Sequence, residues 1–145
     1  MLSPDFKEFI QSLNDSRVRY LVVGGYAVAF HGHPRYTKDI DVWIERTPSN
    51  AANIVRALDR FGFGSLGLKE QDFLEPDQIV QLGQPPNRID ILTTLSGVEF
   101  GTCFDLRQDA EIDGVTVSFI GLQDLKRNKK ASGRHQDLAD AENLE

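Results

Sequence analysis

The chain has 145 residues, of which 40% are apolar and 26% charged, a composition that excludes a disordered or fibrous protein and indicates a globular domain. Its net charge is −6, which argues against general binding to nucleic-acid backbones. Cys103 is the one cysteine, so an internal disulfide framework is excluded. Because the sequence shows neither a signal-peptide pattern nor a membrane-length apolar run, we expect a cytoplasmic protein.

Predicted helices and strands alternate along the chain. In the first half they are a helix that begins at Ser3-Pro4, a strand over 20–23, a short helix over 26–30, a loop over 31–38, a strand over 39–45 and a helix that begins at Pro48. In the second half they are strands over 79–82 and 88–92, a short helix over 100–108, a strand over 115–120, a helix over 122–132 that Gly133 ends, and a last helix over 137–144. These assignments rest on apolar spacing and on glycine and proline positions. The order predicts a single α/β or α+β domain over residues 1–145, with helices against a sheet.

Three carboxylates lie at alternating positions of two predicted strands. Asp39 and Asp41 share a strand face because side chains two residues apart point the same way. Asp90 lies between Ile89 and Ile91 in a later strand. If the two strands are neighbours, the three acids converge and repel one another unless a cation binds between them. Carboxylate oxygens suit Mg²⁺, so these three aspartates are candidate metal ligands and catalytic residues.

A glycine pair lies where the strand over 20–23 ends and a short helix begins. Gly24 and Gly25 would let a phosphate approach the backbone, and the helix N-terminus would offer N–H donors to it. Arg35, Thr37 and Lys38 precede Asp39 directly and are close enough in the chain to reach the same phosphate. We therefore treat these five residues as candidate nucleotide-binding residues, although a turn and a solvated loop would explain them structurally.

Other residues admit both a structural and a functional interpretation. Trp43 shares the face of the carboxylates and either packs in the fold or stacks on a base. His31 and His33 are weak evidence for zinc, and a role in positioning the loop explains them better. The basic residues between 126 and 135 form either a solvated helix face or a phosphate-binding strip.

The ordered combination of these motifs resembles the nucleotidyltransferase superfamily related to DNA polymerase beta. Its signature is a glycine pair, a spacer, Asp-apolar-Asp-apolar, and later a third acid between apolar residues; here residues 26–38 form the spacer. The wider pattern is similar to a small bacterial branch related to AbiEii-type toxins. That pattern comprises Val23-Gly24-Gly25-Tyr26-Ala27, His31-Gly32, Arg35-Tyr36-Thr37, Asp39-Ile40-Asp41-Val42, Gln81-Leu82-Gly83, Pro86, Arg88-Ile89-Asp90-Ile91-Leu92, Asn128-Lys129, Gly133-Arg134, Asp137-Leu138 and Asp140.

The resemblance implies a nucleotidyltransferase-like mixed β-sheet flanked by helices. It also implies transfer of a nucleoside monophosphate from an NTP, ATP among them, to a hydroxyl-type acceptor by two-metal catalysis. Asp39 and Asp41 would hold two Mg²⁺ ions, with Mn²⁺ as the alternative, and Asp90 would complete the catalytic metal site. Gly24 and Gly25 would cradle the triphosphate.

The resemblance leaves several classes of acceptor open. It implies that Lys129 and Arg134 contact phosphates or the acceptor, which is RNA (tRNA in toxin-like relatives), a protein hydroxyl or a small molecule. Members of the superfamily often carry an extra helical domain for the acceptor, so we expect a homodimer or a partner protein to complete that site here. The alternative hypothesis is a non-catalytic nucleotide-binding or partner-binding module that keeps the fold.

Overall fold

The computed structural model describes residues 2–32, 39–83 and 88–133. Its helices are α1 (Pro4–Asp15), α2 (Gly24–Phe30), α3 (Pro48–Phe61), α4 (Phe100–Asp105) and α5 (Leu122–Ser132). Its strands are β1 (Tyr20–Val23), β2 (Ile40–Ile44), β3 (Ile79–Leu82), β4 (Ile89–Leu92), β5 (Gln108–Ile112) and β6 (Val115–Phe119). Two 3-10 turns, Gly64–Leu66 and Glu70–Phe73, lie between α3 and β3. Within the described ranges, no helix combines the length and the apolar character needed to cross a membrane.

Helices α1 and α3 begin where the sequence predicts. The Ser3 hydroxyl accepts a hydrogen bond from the Phe6 amide at 3.2 Å, and the Thr47 hydroxyl accepts one from the Asn50 amide at 3.3 Å. A proline follows each cap, where its missing N–H is not needed and its ring fixes a helical φ. At the other end of the chain, Gly133 ends α5 in left-handed backbone with φ 70°, which glycine adopts readily.

The strands form one mixed sheet in the order β3-β4-β2-β1-β6-β5. Strands β2 and β4 are parallel neighbours, and β1 pairs antiparallel with β2. Strand β6 runs parallel to β1, while β3 and β5 are antiparallel edge strands. This mixed sheet with flanking helices confirms the predicted fold class.

One face of the sheet carries much of the apolar core. Ile40, Val42 and Ile44 alternate along β2 and are at most 1% exposed. Tyr20 is the cross-strand partner of Ile44, and its hydroxyl donates to the Asn14 side chain of α1. Helix α1, with α3 packed beside it, therefore covers this face. Because side chains alternate along a strand, the other residues of β2 point to the opposite face.

The C-terminal half contains a strand that the sequence analysis does not predict. The expected helix over 100–108 ends at Asp105, and β5 follows over Gln108–Ile112. In edge strand β5 the apolar alternation is limited to Ala110 and Ile112, which is shorter than the four to eight alternating residues that indicate a half-buried strand. Asp113-Gly114, with both residues at positive φ, turns it into β6, and this dipeptide is a strong hairpin signal. The predicted helix over 137–144 lies outside the described residues.

Candidate active site

Two of the predicted carboxylates lie side by side on the sheet face opposite α1. The parallel register of β2 and β4 places Asp41 directly beside Asp90. Asp41 also lies opposite Val23, the last residue of β1. The two strands that carry the acids are therefore neighbours, as the convergence of the acids requires.

Burial, and next the neighbouring charges, perturb the ionisation of these acids. Burial, and next the Asp90 carboxylate, raises the pKa of Asp41 to about 6. Burial also raises the pKa of Asp90, while the Arg88 guanidinium acts in the opposite direction. A hydrogen bond between the two carboxyl groups raises the pKa of Asp41 and lowers that of Asp90, as expected when Asp41 holds a shared proton. Burial thus disfavours the ionised form of both acids despite the nearby charges of Arg88 and Lys129, and a bound cation would stabilise that ionised form.

Asp39 lies just before β2, and Arg88, just before β4, contacts its side chain. Arg88 Nη2 donates to Asp39 Oδ2 at 2.8 Å, and Arg88 Nε lies 3.4 Å from Asp90 Oδ1. Arg88 Nε and Asp90 Oδ1 are both buried without a hydrogen-bond partner. Among the described residues, no three histidine, cysteine or acidic side chains converge closely enough to hold a metal ion. Asp41 and Asp90 are thus paired, Asp39 is turned towards Arg88, and the metal role of all three stays a prediction.

Gly24 is in direct contact with the Asp41 carboxylate. A β-carbon at Gly24 would lie 2.2 Å from Asp41 Oδ2, and the residue has φ 66°, a conformation that favours glycine. Gly24 and Gly25 open α2 immediately after β1. The glycine pair and the acids are therefore brought together as the sequence predicts, and phosphate binding by this backbone stays a prediction.

Helix α5 brings a buried lysine to the same site. Lys129 is 6% exposed, and its charge opposes the effect of burial on the pKa of Asp41. The Asn128 side chain donates to the Ser96 carbonyl at 3.1 Å, which ties α5 to the turn after β4. Lys130 is exposed. The basic strip is therefore not uniform, because Lys129 lies close to Asp41 whereas the next lysine faces outwards.

A cleft of about 440 Å³ opens beside Asp41 and Gly24. Its lining combines the apolar side chains of Ile79, Leu92 and Leu95 with polar residues that include Asp77 and Thr94. A mixed lining and a volume of this order suit a small-molecule ligand. The cleft therefore has room for a small molecule next to Asp41.

Asp77 and Thr94 line this cleft and could not be recognised from the sequence as residues of the site. Asp77 has φ 59°; its amide donates to the Thr94 hydroxyl at 3.1 Å, and that hydroxyl donates to Asp77 Oδ1 at 2.9 Å. The Pro76-Asp77 dipeptide marks a turn, but its place at the site depends on the pairing of β3 with β4. Arg88 is visible in the sequence on the face of Asp90, but alternation does not show that it contacts Asp39.

Of the remaining predicted residues, two have structural roles and the others lie outside the described ranges. Trp43 is 2% exposed and packs edge-on against Phe100, with 5.2 Å between ring centroids, so it is a packing residue. His31 Nε2 lies 2.7 Å from the Ile120 carbonyl oxygen, which agrees with a structural role. The predicted residues that lie outside the described ranges, so that their roles stay predictions, are His33, Arg35, Thr37, Lys38 and Arg134.

The fold is that of nucleotidyltransferase-like proteins. A protein from Thermotoga maritima, whose assignment as a nucleotidyltransferase is itself inferred, is similar with a TM-score of 0.62 and 17% identity over 99% of this chain and 92% of that chain. An antigenic nucleotidyltransferase-like protein from Paracoccidioides brasiliensis gives a TM-score of 0.57 and 17% identity over 99% of this chain and 77% of that chain. No family model matches the sequence, and no curated protein matches it significantly. These comparisons show the fold alone and do not reach the AbiEii-type branch.

Proposed function

We propose that the protein is a Mg²⁺-dependent nucleotidyltransferase that moves a nucleoside monophosphate from an NTP to a hydroxyl-type acceptor. The observation that carries the proposal is the in-register pairing of Asp41 with Asp90 on two parallel strands. Burial raises the pKa of both acids, which disfavours their ionised forms. A pure scaffold has no need for this arrangement, and perturbed acids of this kind are concentrated at functional sites.

The donor atoms of the site fit a magnesium ion. Asp41 and Asp90, together with Asp39, supply the hard oxygen ligands that Mg²⁺ prefers. Asp90 Oδ1 is buried and accepts no hydrogen bond, so a cation would bind there without breaking one, whereas Asp39 must first leave Arg88. We propose these three aspartates as the ligands of two ions. Bound Mg²⁺ would neutralise the triphosphate charge and favour the deprotonated acceptor hydroxyl.

The protein's own groups would bind and orient the nucleotide. Amides at Gly24 and Gly25 would donate to the triphosphate, and Lys129 would place a charge next to it in a partly dehydrated site. The cleft would hold the nucleoside. In the reaction the acceptor oxygen bonds to the α-phosphorus while the bond from that phosphorus to the bridging oxygen breaks, and pyrophosphate leaves. On the sequence argument alone, further phosphate contacts are assigned to Arg35, Thr37, Lys38 and Arg134.

A second candidate function is nucleotide binding without catalysis. The observation that favours it is the Arg88 guanidinium, which contacts Asp39 at 2.8 Å and balances part of the charge that a metal would otherwise balance. In this case the protein would act through a partner. The two candidates share the cleft and the glycine pair, and differ in whether nucleotide is consumed.

Transfer of label from α-labelled ATP, CTP, GTP and UTP to total cell RNA and protein, with Mg²⁺ present, tests the proposal. The matched control is the double variant Asp39→Asn/Asp41→Asn, which keeps side-chain volume and removes both charges. Label transferred by the wild type alone would support the enzyme and identify the nucleotide and the acceptor class. Absence of transfer, with Mg²⁺-dependent NTP binding seen by calorimetry, would favour the binding module. Absence of both would overturn both candidates.

A further inference from the structure

Arg88 supplies a positive charge within a block of acids. Asp39 and Arg88 immediately precede neighbouring parallel strands, and the Ile40 amide donates to the Arg88 carbonyl at 3.1 Å. Asp41 and Asp90 form the next row on the same sheet face. The guanidinium links the two rows, because Nη2 contacts Asp39 Oδ2 at 2.8 Å and Nε lies 3.4 Å from Asp90 Oδ1.

This link is only half satisfied. The contact with Asp39 has the length of a charge-assisted hydrogen bond, whereas Arg88 Nε and Asp90 Oδ1 are buried without hydrogen-bond partners. Polar atoms buried in this way carry a free-energy cost. A compact cation bound to Asp90 would relieve that cost on the carboxylate, and a guanidinium released to water or phosphate would be relieved as well.

We propose that Arg88 is a displaceable counter-cation, which neutralises Asp39 and Asp90 in the metal-free protein and which a divalent cation must displace from Asp39 in order to bind. The inference rests on the proposed function, since it needs the acids to bind a divalent cation. Its structural support is that the guanidinium contacts both Asp39 and Asp90, while no three-ligand cluster exists among the described residues. Asp39 and Asp90 therefore share Arg88 as a counter-charge.

Displacement couples the metal to the nucleotide. The Arg88 side chain is 35% exposed, so once released it remains at the rim of the site, where a triphosphate would lie. Guanidinium groups bind phosphate through paired hydrogen bonds. The metal alone therefore binds weakly, and metal and NTP strengthen each other's binding.

The opposite role for Arg88 predicts an opposite result. If Arg88 instead held Asp39 in place while the second oxygen of Asp39 bound the ion, as outer partners of metal ligands commonly do, loss of Arg88 would weaken metal binding. The sign of the change in metal affinity therefore distinguishes a counter-cation from a positioning residue.

Mn²⁺ affinity of the full chain, measured by calorimetry and electron paramagnetic resonance without nucleotide, tests the proposal. Arg88→Gln is expected to bind Mn²⁺ about tenfold more tightly than the wild type, because a positive charge next to two ligands is lost. Arg88→Met supplies a second uncharged variant if the first is unstable, and Arg88→Lys, which keeps the charge, should stay near the wild type. The matched control is Arg19→Gln, which breaks an ion pair with Glu45 of 2.9 Å and should leave the affinity unchanged.

Two further comparisons separate this inference from the proposed function. Addition of α,β-methylene-ATP should raise Mn²⁺ affinity more in the wild type than in Arg88→Gln. If the wild type binds Mn²⁺ and Asp41→Asn/Asp90→Asn does not, while Arg88→Gln binds no better than the wild type, the inference is overturned and the proposed function stands. If none of the proteins binds Mn²⁺ with or without the analogue, both are overturned.

Discussion

Gly24 lies so close to Asp41 that a β-carbon on the glycine would be 2.2 Å from Asp41 Oδ2. The contact follows from the pairing of β1 with β2, in which Val23 and Asp41 are cross-strand partners. The glycine motif and the acid motif of the sequence are therefore parts of one site. Position 24 requires a residue without a side chain if Asp41 is to remain beside Asp90.

Gly24→Ala is expected to lower both stability and nucleotide affinity. Alanine at φ 66° is strained by about 1–2 kcal/mol, and its methyl group would push the Asp41 carboxylate away from Asp90. Thermal unfolding measures the first effect, and calorimetry with NTP and Mg²⁺ measures the second.

The matched control for this variant is Gly67→Ala. Gly67 has a similar φ of 69°, and a methyl group there would meet no atom within 4 Å beyond its neighbours in the chain, so the variant should show the strain alone. Equal losses of stability in the two variants, with nucleotide affinity unchanged in both, would contradict a role for the Gly24–Asp41 contact.

The acid-bearing strands could be predicted from local sequence, whereas the surroundings of the acids could not. Alternation along β2 and β4 places Asp41 and Asp90 on one face, since their neighbours are apolar and buried. The same alternation makes Asp39 an equal third ligand, because it does not show that Arg88 lies across from it. Asp77 reaches the cleft only through the pairing of β3 with β4, which connects residues far apart in the chain and leaves no local signal.

Asn50→Ala is expected to be strongly destabilising. The Asn50 side-chain nitrogen donates to the backbone carbonyl oxygens of Arg19 and Glu45 at 3.1 and 2.8 Å. Its side-chain oxygen accepts from the backbone N–H of Arg19 at 2.8 Å. Because these backbone groups would lose their partners, the free energy of unfolding should fall by about 2–4 kcal/mol. Urea denaturation measures this, with Asn53→Ala as the control, since the Asn53 side chain makes exposed contacts, a long one of 3.5 Å to the Arg17 carbonyl and one from the Arg56 guanidinium. A similar loss of stability in both variants would contradict the assigned role of the three Asn50 hydrogen bonds.

Lys129→Met tests whether the buried lysine binds phosphate. The substitution keeps most of the side-chain length and removes a charge that lies close to Asp41, so NTP affinity should fall about tenfold. Lys126→Met removes the same charge from the same helix at a residue that does not line the cleft. Calorimetry with Mg²⁺ and each NTP measures both. Equal affinities in the two variants would show that Lys129 contributes only general electrostatics.

Asp41 gives the metal-free protein a defined dependence of stability on pH. Burial, followed by the Asp90 charge, raises the pKa of Asp41 from its ordinary 3.8 to about 6. A carboxyl group with a raised pKa holds its proton more tightly in the folded chain, so it favours folding while it is protonated. Its contribution is complete below the pKa of the unfolded chain and is lost as the pH rises from about 4 to about 6.

Asp41→Asn should remove this loss. With EDTA present, the variant is expected to match the wild type near pH 4 and to be more stable at pH 7, by about 1–3 kcal/mol for a shift of this size. Denaturant unfolding at both pH values measures the difference, and Glu111→Gln, at an exposed position of edge strand β5, is the control.

Mg²⁺, added in place of EDTA, should stabilise the wild type at pH 7 and leave Asp41→Asn unchanged, because a ligand that binds the folded state raises its stability. Equal stabilisation of both proteins by Mg²⁺ would show that the ion binds elsewhere, and a difference that does not change between pH 4 and pH 7 would show that Asp41 is not the titrating group.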